Sequence, residues 1–147
     1  MMHFPTITAL TAAAFGLVYI VLTLRVGLMR ASTGIPIGVG KDSVLRRRVR
    51  AHANFAEYVP LVLILLMLVE GADAPAYLVV GAASVFLTAR MMHAIGLSVT
   101  DGNSVGRGVG AMGTLLVLAA TSIWLGFLVA ERVMPQALHT DFGSKRD

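Results

Sequence analysis

Residues 47–69 read RRVRAHANFAEYVPLVLILLMLV, a cluster of arginines that passes into an apolar segment. The part from about residue 51 to 69 approaches the roughly 20 residues that an α-helix needs to cross a bilayer. Arg50, Asn54 and Glu57 follow the spacing i, i+4, i+7, so they share one face of such a helix. The stretch therefore predicts a transmembrane helix that carries polar side chains in its first turns.

Three further apolar segments have a similar length. With the flanking glycine, proline and capping residues included, the helices are predicted over about residues 5–25, 43–69, 75–97 and 106–132. The first segment lacks a preceding basic stretch and is too long for the core of a signal peptide, so we expect a retained helix. Residues 135–147 are predicted as a tail after the fourth helix, and we expect its charge-balanced end, residues 141–147, to be disordered.

The composition agrees with a membrane location. Of 147 residues, 56% are hydrophobic and 14% are charged, whereas about a quarter of a soluble domain is charged. A soluble chain of this size could not bury so much apolar surface. The sequence predicts an all-α membrane protein with one domain, a four-transmembrane-helix bundle over residues 1–147.

The charged residues are distributed unevenly among the predicted loops. The first loop and its borders contain a cluster of basic residues and one acidic residue, Asp42. The charged residues of the second loop are all acidic. The positive-inside rule places the first and third loops in the cytoplasm and both termini outside. The basic cluster is short and lipid-flanked, which favours a membrane surface over nucleic acid. Its members are Arg25, Arg30, Lys41, Arg46, Arg47, Arg48 and Arg50.

Polar residues of three predicted helices lie at the same cytoplasmic level. Glu57 needs a partner inside the bilayer, because an isolated carboxylate there is costly, and Arg90 of helix three is the better-placed candidate. We therefore predict that one membrane layer brings six side chains together, rich in donors and suited to an anionic, carboxylate-bearing ligand. They are Arg50, Asn54, Glu57, Arg90, His93 and Arg107.

Simpler interpretations remain open for these residues. Arg46, Arg47 and Arg48 can extend to the headgroups without binding anything. Arg90 and Glu57 can form a purely structural ion pair. Gly106 and Gly110 form a small-xxx-small pair, which favours close helix packing. The chain has no cysteine, which excludes disulfides and thiolate metal sites, and no histidine spacing typical of a metal site occurs.

Two motifs resemble a known family. The segment Arg50–Leu61 and the string Ala89–Gly96 are similar to the second-helix and third-helix signatures of the MAPEG proteins, membrane-associated proteins in eicosanoid and glutathione metabolism. The beginning of helix four, from Arg107 to Thr114, resembles the family more weakly. The resemblance implies a homotrimer, and short bacterial members are the most similar, so we expect a bacterial inner membrane.

The resemblance also implies a binding site for glutathione, a co-substrate held in the cytoplasm-facing layer between subunits. Arg107 matches an arginine that stabilises the thiolate in one branch of the family. The implied function is a glutathione transferase or peroxidase acting on lipophilic electrophiles. The alternatives are a non-catalytic lipid- or glutathione-binding scaffold and a small transporter or channel subunit. The implied glutathione contacts are Arg50, Asn54, Glu57, Tyr58, Arg90 and His93, with Arg30 and Arg47 as further contacts.

Overall fold

The computed structural model describes residues 4–143, and the side chains up to residue 133. Four α-helices follow one another along the chain: α1 (Thr6–Thr33), α2 (Ser43–Gly71), α3 (Ala76–Val99) and α4 (Val105–Gly143). Each of them is long and apolar enough to cross a membrane, by length and composition. The prediction of an all-helical chain with four membrane-length helices is confirmed.

Two helices extend well beyond their predicted ends, whereas α2 and α3 end within two residues of theirs. Helix α1 continues past residue 25 to Thr33, because the first residue that breaks it is Gly34, which adopts a left-handed φ of 67° and donates its N–H to the carbonyl of Arg30. Helix α4 continues to Gly143, so the predicted tail was wrong for residues 135–143. Glutamine, alanine and leucine at 136–138 favour helix. Residues 144–147 lie outside the described part.

The helix beginnings at the two ends of the bundle are capped differently. Asp42 caps α2 by accepting a hydrogen bond from the backbone N–H of Leu45 at 2.9 Å. Helix α1 begins after Pro5, which has no side-chain acceptor. Glu70 of α2 supplies that acceptor instead, because its carboxylate binds the N–H groups of Ile7 at 2.9 Å and Thr8 at 2.8 Å. This contact fixes α1 to the far end of α2.

Aromatic rings fill the middle of the bundle. Phe15 of α1 packs between Phe55 of α2 and Phe86 of α3, with ring centroids 5.6 and 5.1 Å apart. All three rings are fully buried. In a bilayer this packing stabilises the bundle by dispersion rather than by removal of apolar surface from water.

Helices α3 and α4 make the closest contact in the bundle. A Cβ atom on Gly110 would lie 2.5 Å from the carbonyl oxygen of Ala89 and 2.7 Å from the backbone nitrogen of His93. A Cβ on Gly106 would lie 3.2 Å from the carbonyl oxygen of Met92. The two backbones therefore touch because glycine leaves room, which confirms the packing role predicted for these glycines. The contact also fixes Arg107, which lies between them, against the end of α3.

Candidate functional site

A polar cleft of about 460 Å³ opens at the end of the bundle where α2 begins. Its volume lies in the range of about 300–1,000 Å³ that is typical of small-ligand sites. Helix α2 supplies most of the wall, the last turns of α3 and the loop after it supply the rest, and α4 contributes one arginine. The lining residues are Arg46, Arg47, Arg50, Ala53, Asn54, Glu57, His93, Leu97, Thr100, Asp101 and Arg107.

The α2 wall follows from helical spacing. Arg50, Asn54 and Glu57 face the cleft together, as their i, i+4, i+7 spacing predicted. Glu57 is exposed, and it forms no ion pair with any side chain described up to residue 133. Arg50 is exposed and equally unpaired within that part of the chain. The cleft thus presents a free carboxylate among guanidinium groups, of which four line it.

Arg90 lies behind this wall and does not line the cleft. Its guanidinium is fully buried and donates to the side-chain oxygen of Asn54 at 2.7 Å, to the Asn54 carbonyl at 3.0 Å and to the Thr114 hydroxyl at 3.3 Å. The expected pairing of Arg90 with Glu57 was therefore wrong. The guanidinium lies over the rings of Phe55 and Tyr58, whereas Glu57 lines the cleft.

Arg90 nevertheless affects the cleft through Asn54. A buried guanidinium without a carboxylate partner depends on neutral acceptors and aromatic faces to offset its desolvation. Asn54 satisfies that need with two oxygens, and this contact fixes the side-chain amide at the cleft wall. Tyr58, predicted as a ligand contact, lies 5.4 Å from the Arg90 guanidinium carbon by ring centroid and is absent from the lining. Arg90 and Tyr58 thus support the wall from behind.

His93 connects α3 to the beginning of α4. Its Nδ1 lies 2.9 Å from the backbone carbonyl of Arg107. Because a carbonyl can only accept, Nδ1 carries the proton and donates. A Cβ on Gly96 would lie 2.8 Å from both the backbone nitrogen and the Cγ of Arg107. The histidine and the glycine together determine where the Arg107 side chain leaves the helix.

Asp101, in the loop between α3 and α4, is a cleft residue that the sequence analysis did not select. Its carboxylate accepts from Arg47 at 2.8 Å and lies 3.4 Å from Arg46. Arg107 donates to the backbone carbonyls of Asp101 and Gly102. The available signal was that Asp101 is the only acidic residue between α3 and α4, at the end of the bundle that carries the arginines.

Two other predicted basic residues have structural partners. Arg30 donates to the carbonyls of Ile35 at 3.1 Å and Gly38 at 2.9 Å, so it orders the loop after α1 and does not reach the cleft. Arg48 donates to the Arg25 carbonyl at 3.0 Å and joins α2 to α1. In this single chain, Arg47 lines the cleft and Arg30 does not.

Four membrane-length helices with an arginine-rich polar cleft at one end indicate an integral membrane protein. The chain belongs to the MAPEG family, whose sequence profile matches residues 8–127. It is similar to the inner membrane protein YecN of Escherichia coli K12, with 29% identity over 90 residues, which are 61% of this chain and 69% of YecN. YecN of Escherichia coli O6:H1 matches to the same extent.

Proposed function

We propose that the chain binds glutathione in the cleft and transfers it to lipophilic electrophiles that enter from the bilayer. The unpaired Glu57 among the cleft arginines is the observation that carries the proposal. Glutathione bears two carboxylates and one ammonium group, so its binding requires guanidinium donors and one free carboxylate in the same cleft. The cleft lining contains both: Arg47 and Arg50 supply guanidinium donors, and Glu57 supplies the carboxylate. Family membership supports the same ligand class.

The chemical step needs a thiolate. A guanidinium beside the glutathione sulfur favours its anionic form, because opposite charge lowers a thiol pKa. Arg107 is the candidate, since only one of its terminal nitrogens donates to the loop carbonyls. The thiol proton leaves to water, the thiolate forms a carbon–sulfur bond with the electrophile, and a leaving group departs where the electrophile carries one. In a peroxidase reaction the thiolate attacks a hydroperoxide oxygen and the O–O bond breaks, which releases the alcohol and leaves glutathione sulfenic acid. A second glutathione thiol then reduces the sulfenic acid, with glutathione disulfide and water as products.

Location and assembly are part of the same proposal. The name of the relative YecN supports an inner membrane. The excess of basic residues at the α2 entry supports a cytoplasmic cleft with both termini outside. Family membership supports a homotrimer, and native mass spectrometry in detergent measures the subunit number. A monomer or a dimer would contradict that part of the proposal.

Ligand binding is tested by calorimetry on the purified protein in nanodiscs. Glu57→Gln removes the charge that binds the ammonium group and should weaken glutathione binding about tenfold or more, equivalent to about 1.4 kcal/mol. Glu131→Gln is the matched control, because Glu131 is exposed on α4 and does not line the cleft; it should bind like the wild type. Wild-type protein that binds no glutathione would refute the proposal.

Turnover is tested with 1-chloro-2,4-dinitrobenzene, from which the thiolate displaces chloride. Arg107→Ala should retain most of the glutathione affinity and lose most of the conjugation rate, if Arg107 stabilises the thiolate. Arg132→Ala, a change at the opposite end of the bundle, should leave the rate unchanged. Wild-type protein that binds glutathione but turns over neither this compound nor a lipid hydroperoxide would favour a non-catalytic lipid- or glutathione-binding scaffold.

A further inference from the structure

The loop between α3 and α4, residues 100–104, brings a carboxylate of the chain itself into the cleft. Asp101 contacts Arg47 at 2.8 Å and Arg46 at 3.4 Å, and 44% of its side chain is exposed. Ion pairs with this much exposure contribute little to stability. The contact is therefore weak enough to exchange with a carboxylate that arrives from solution.

Other polar contacts of the same loop involve the arginine of α4. Arg107 donates to the backbone carbonyls of Asp101 and Gly102. The loop therefore engages three of the four arginines that line the cleft, and only Arg50 has no partner among the described side chains. An anionic ligand has to compete with this loop for most of the donors available to it.

The contact between Asp101 and Arg47 leaves part of the guanidinium unsatisfied. Asp101 accepts from one terminal nitrogen of Arg47, and the other terminal nitrogen donates to no residue in the part of the chain that the structure describes. A carboxylate that accepts from both terminal nitrogens makes the stronger, bidentate arrangement. A ligand carboxylate can thus bind Arg47 better than Asp101 does.

We propose that Asp101 competes with the ligand carboxylate for Arg46 and Arg47 and so lowers the affinity of the cleft for the anion. The contact of Asp101 with these arginines and the binding of the anion are then mutually exclusive. Displacement of Asp101 together with its loop also releases the engaged terminal nitrogen of Arg107 from the loop carbonyls, so that both terminal nitrogens become available to the ligand sulfur. The inference rests on the proposed function, because it takes glutathione as the anion.

Calorimetry with glutathione tests the competition. Asp101→Asn removes the competing charge and should tighten binding about threefold to tenfold. Asp73→Asn is the matched control, since Asp73 also lies near an arginine, Arg132, at 3.8 Å but at the other end of the bundle; it should bind like the wild type. Equal or weaker binding by Asp101→Asn would overturn the inference.

A spin label tests the movement of the loop. Because the chain has no cysteine, Asn103→Cys creates a single site for a maleimide nitroxide on an exposed loop residue. The second substitution Asp101→Asn should release the loop and narrow the lines of the nitroxide spectrum. Saturation with S-methylglutathione should have the same effect, whereas the second substitution Asp73→Asn should leave the lines unchanged. A spectrum that stays the same in all cases would contradict the inference.

The two proposals fail in different ways. If wild type and Asp101→Asn bind glutathione equally, the proposed function stands and the competition is refuted. If neither binds glutathione, the proposed function is refuted and the competition for that anion falls with it.

Discussion

The carboxylate of Glu70 allows a quantitative test of how α1 is attached to the bundle. It accepts hydrogen bonds from the Ile7 N–H at 2.9 Å, the Thr8 N–H at 2.8 Å and the Thr8 hydroxyl at 2.7 Å. Glu70→Gln removes the charge and turns one acceptor into an NH₂ group that faces a donor. A hydrogen bond to a charged group contributes about 1.5–3 kcal/mol to stability, whereas a bond between neutral groups contributes about 0.5–1.5 kcal/mol. A buried donor left without an acceptor costs about 1–3 kcal/mol. The unfolding free energy should fall by about 2–4 kcal/mol.

The assay is equilibrium unfolding in mixed micelles, together with amide hydrogen exchange at Ile7 and Thr8. Glu131→Gln, the same substitution on an exposed side chain, should stay within about 0.5 kcal/mol of the wild type. Thr8→Val should cost about 1 kcal/mol in the wild type and less in Glu70→Gln, since the two side chains are partners. If Glu70→Gln unfolds like the control and exchange at both amides is unchanged, the proposed attachment is refuted.

Three further predictions concern packing, the buried guanidinium and the first loop. Gly110→Ala should destabilise the fold by about 1–3 kcal/mol, because α3 and α4 would have to separate. The control Gly108→Ala, whose Cβ meets nothing within 4 Å, should be neutral or stabilise the fold by up to about 1 kcal/mol. Thermal unfolding in detergent compares the two variants. Arg90→Met should destabilise by about 1–3 kcal/mol, because Asn54 loses its donor, and should also weaken glutathione binding by calorimetry. Arg30→Gln should increase proteolysis of the loop after α1 and leave glutathione affinity unchanged, since among the described residues Arg30 donates to loop carbonyls and does not line the cleft.

The helices and one wall of the cleft could be predicted from sequence because they depend on local periodicity. The apolar lengths predict four spans, and the spacing of Arg50, Asn54 and Glu57 places all three on one face whatever surrounds them. The exact ends are harder to predict. Helix α1 ends where Gly34 adopts a left-handed conformation, and nothing in residues 25–33 indicates which of several glycines that will be.

The partners of the buried charges could not be predicted from the same patterns. Arg90 can reach Glu57 or Asn54 depending on how α3 is rotated about its axis, and the glycine contacts with α4 set that rotation. Asp101 is a single acidic residue in a short loop, and periodicity does not constrain loops. Such contacts depend on the three-dimensional packing of several helices.

The close backbone contact between α3 and α4 restricts how the helices can move relative to each other. Flexible side chains between helices can accommodate small relative shifts, but at Gly110 and Gly106 the backbone of α4 lies directly against the backbone of α3. Few side-chain movements are therefore available there to accommodate a shift. We therefore expect α3 and α4 to move together as one rigid unit. The movements that admit a bulky lipophilic molecule would then arise from α1 and α2.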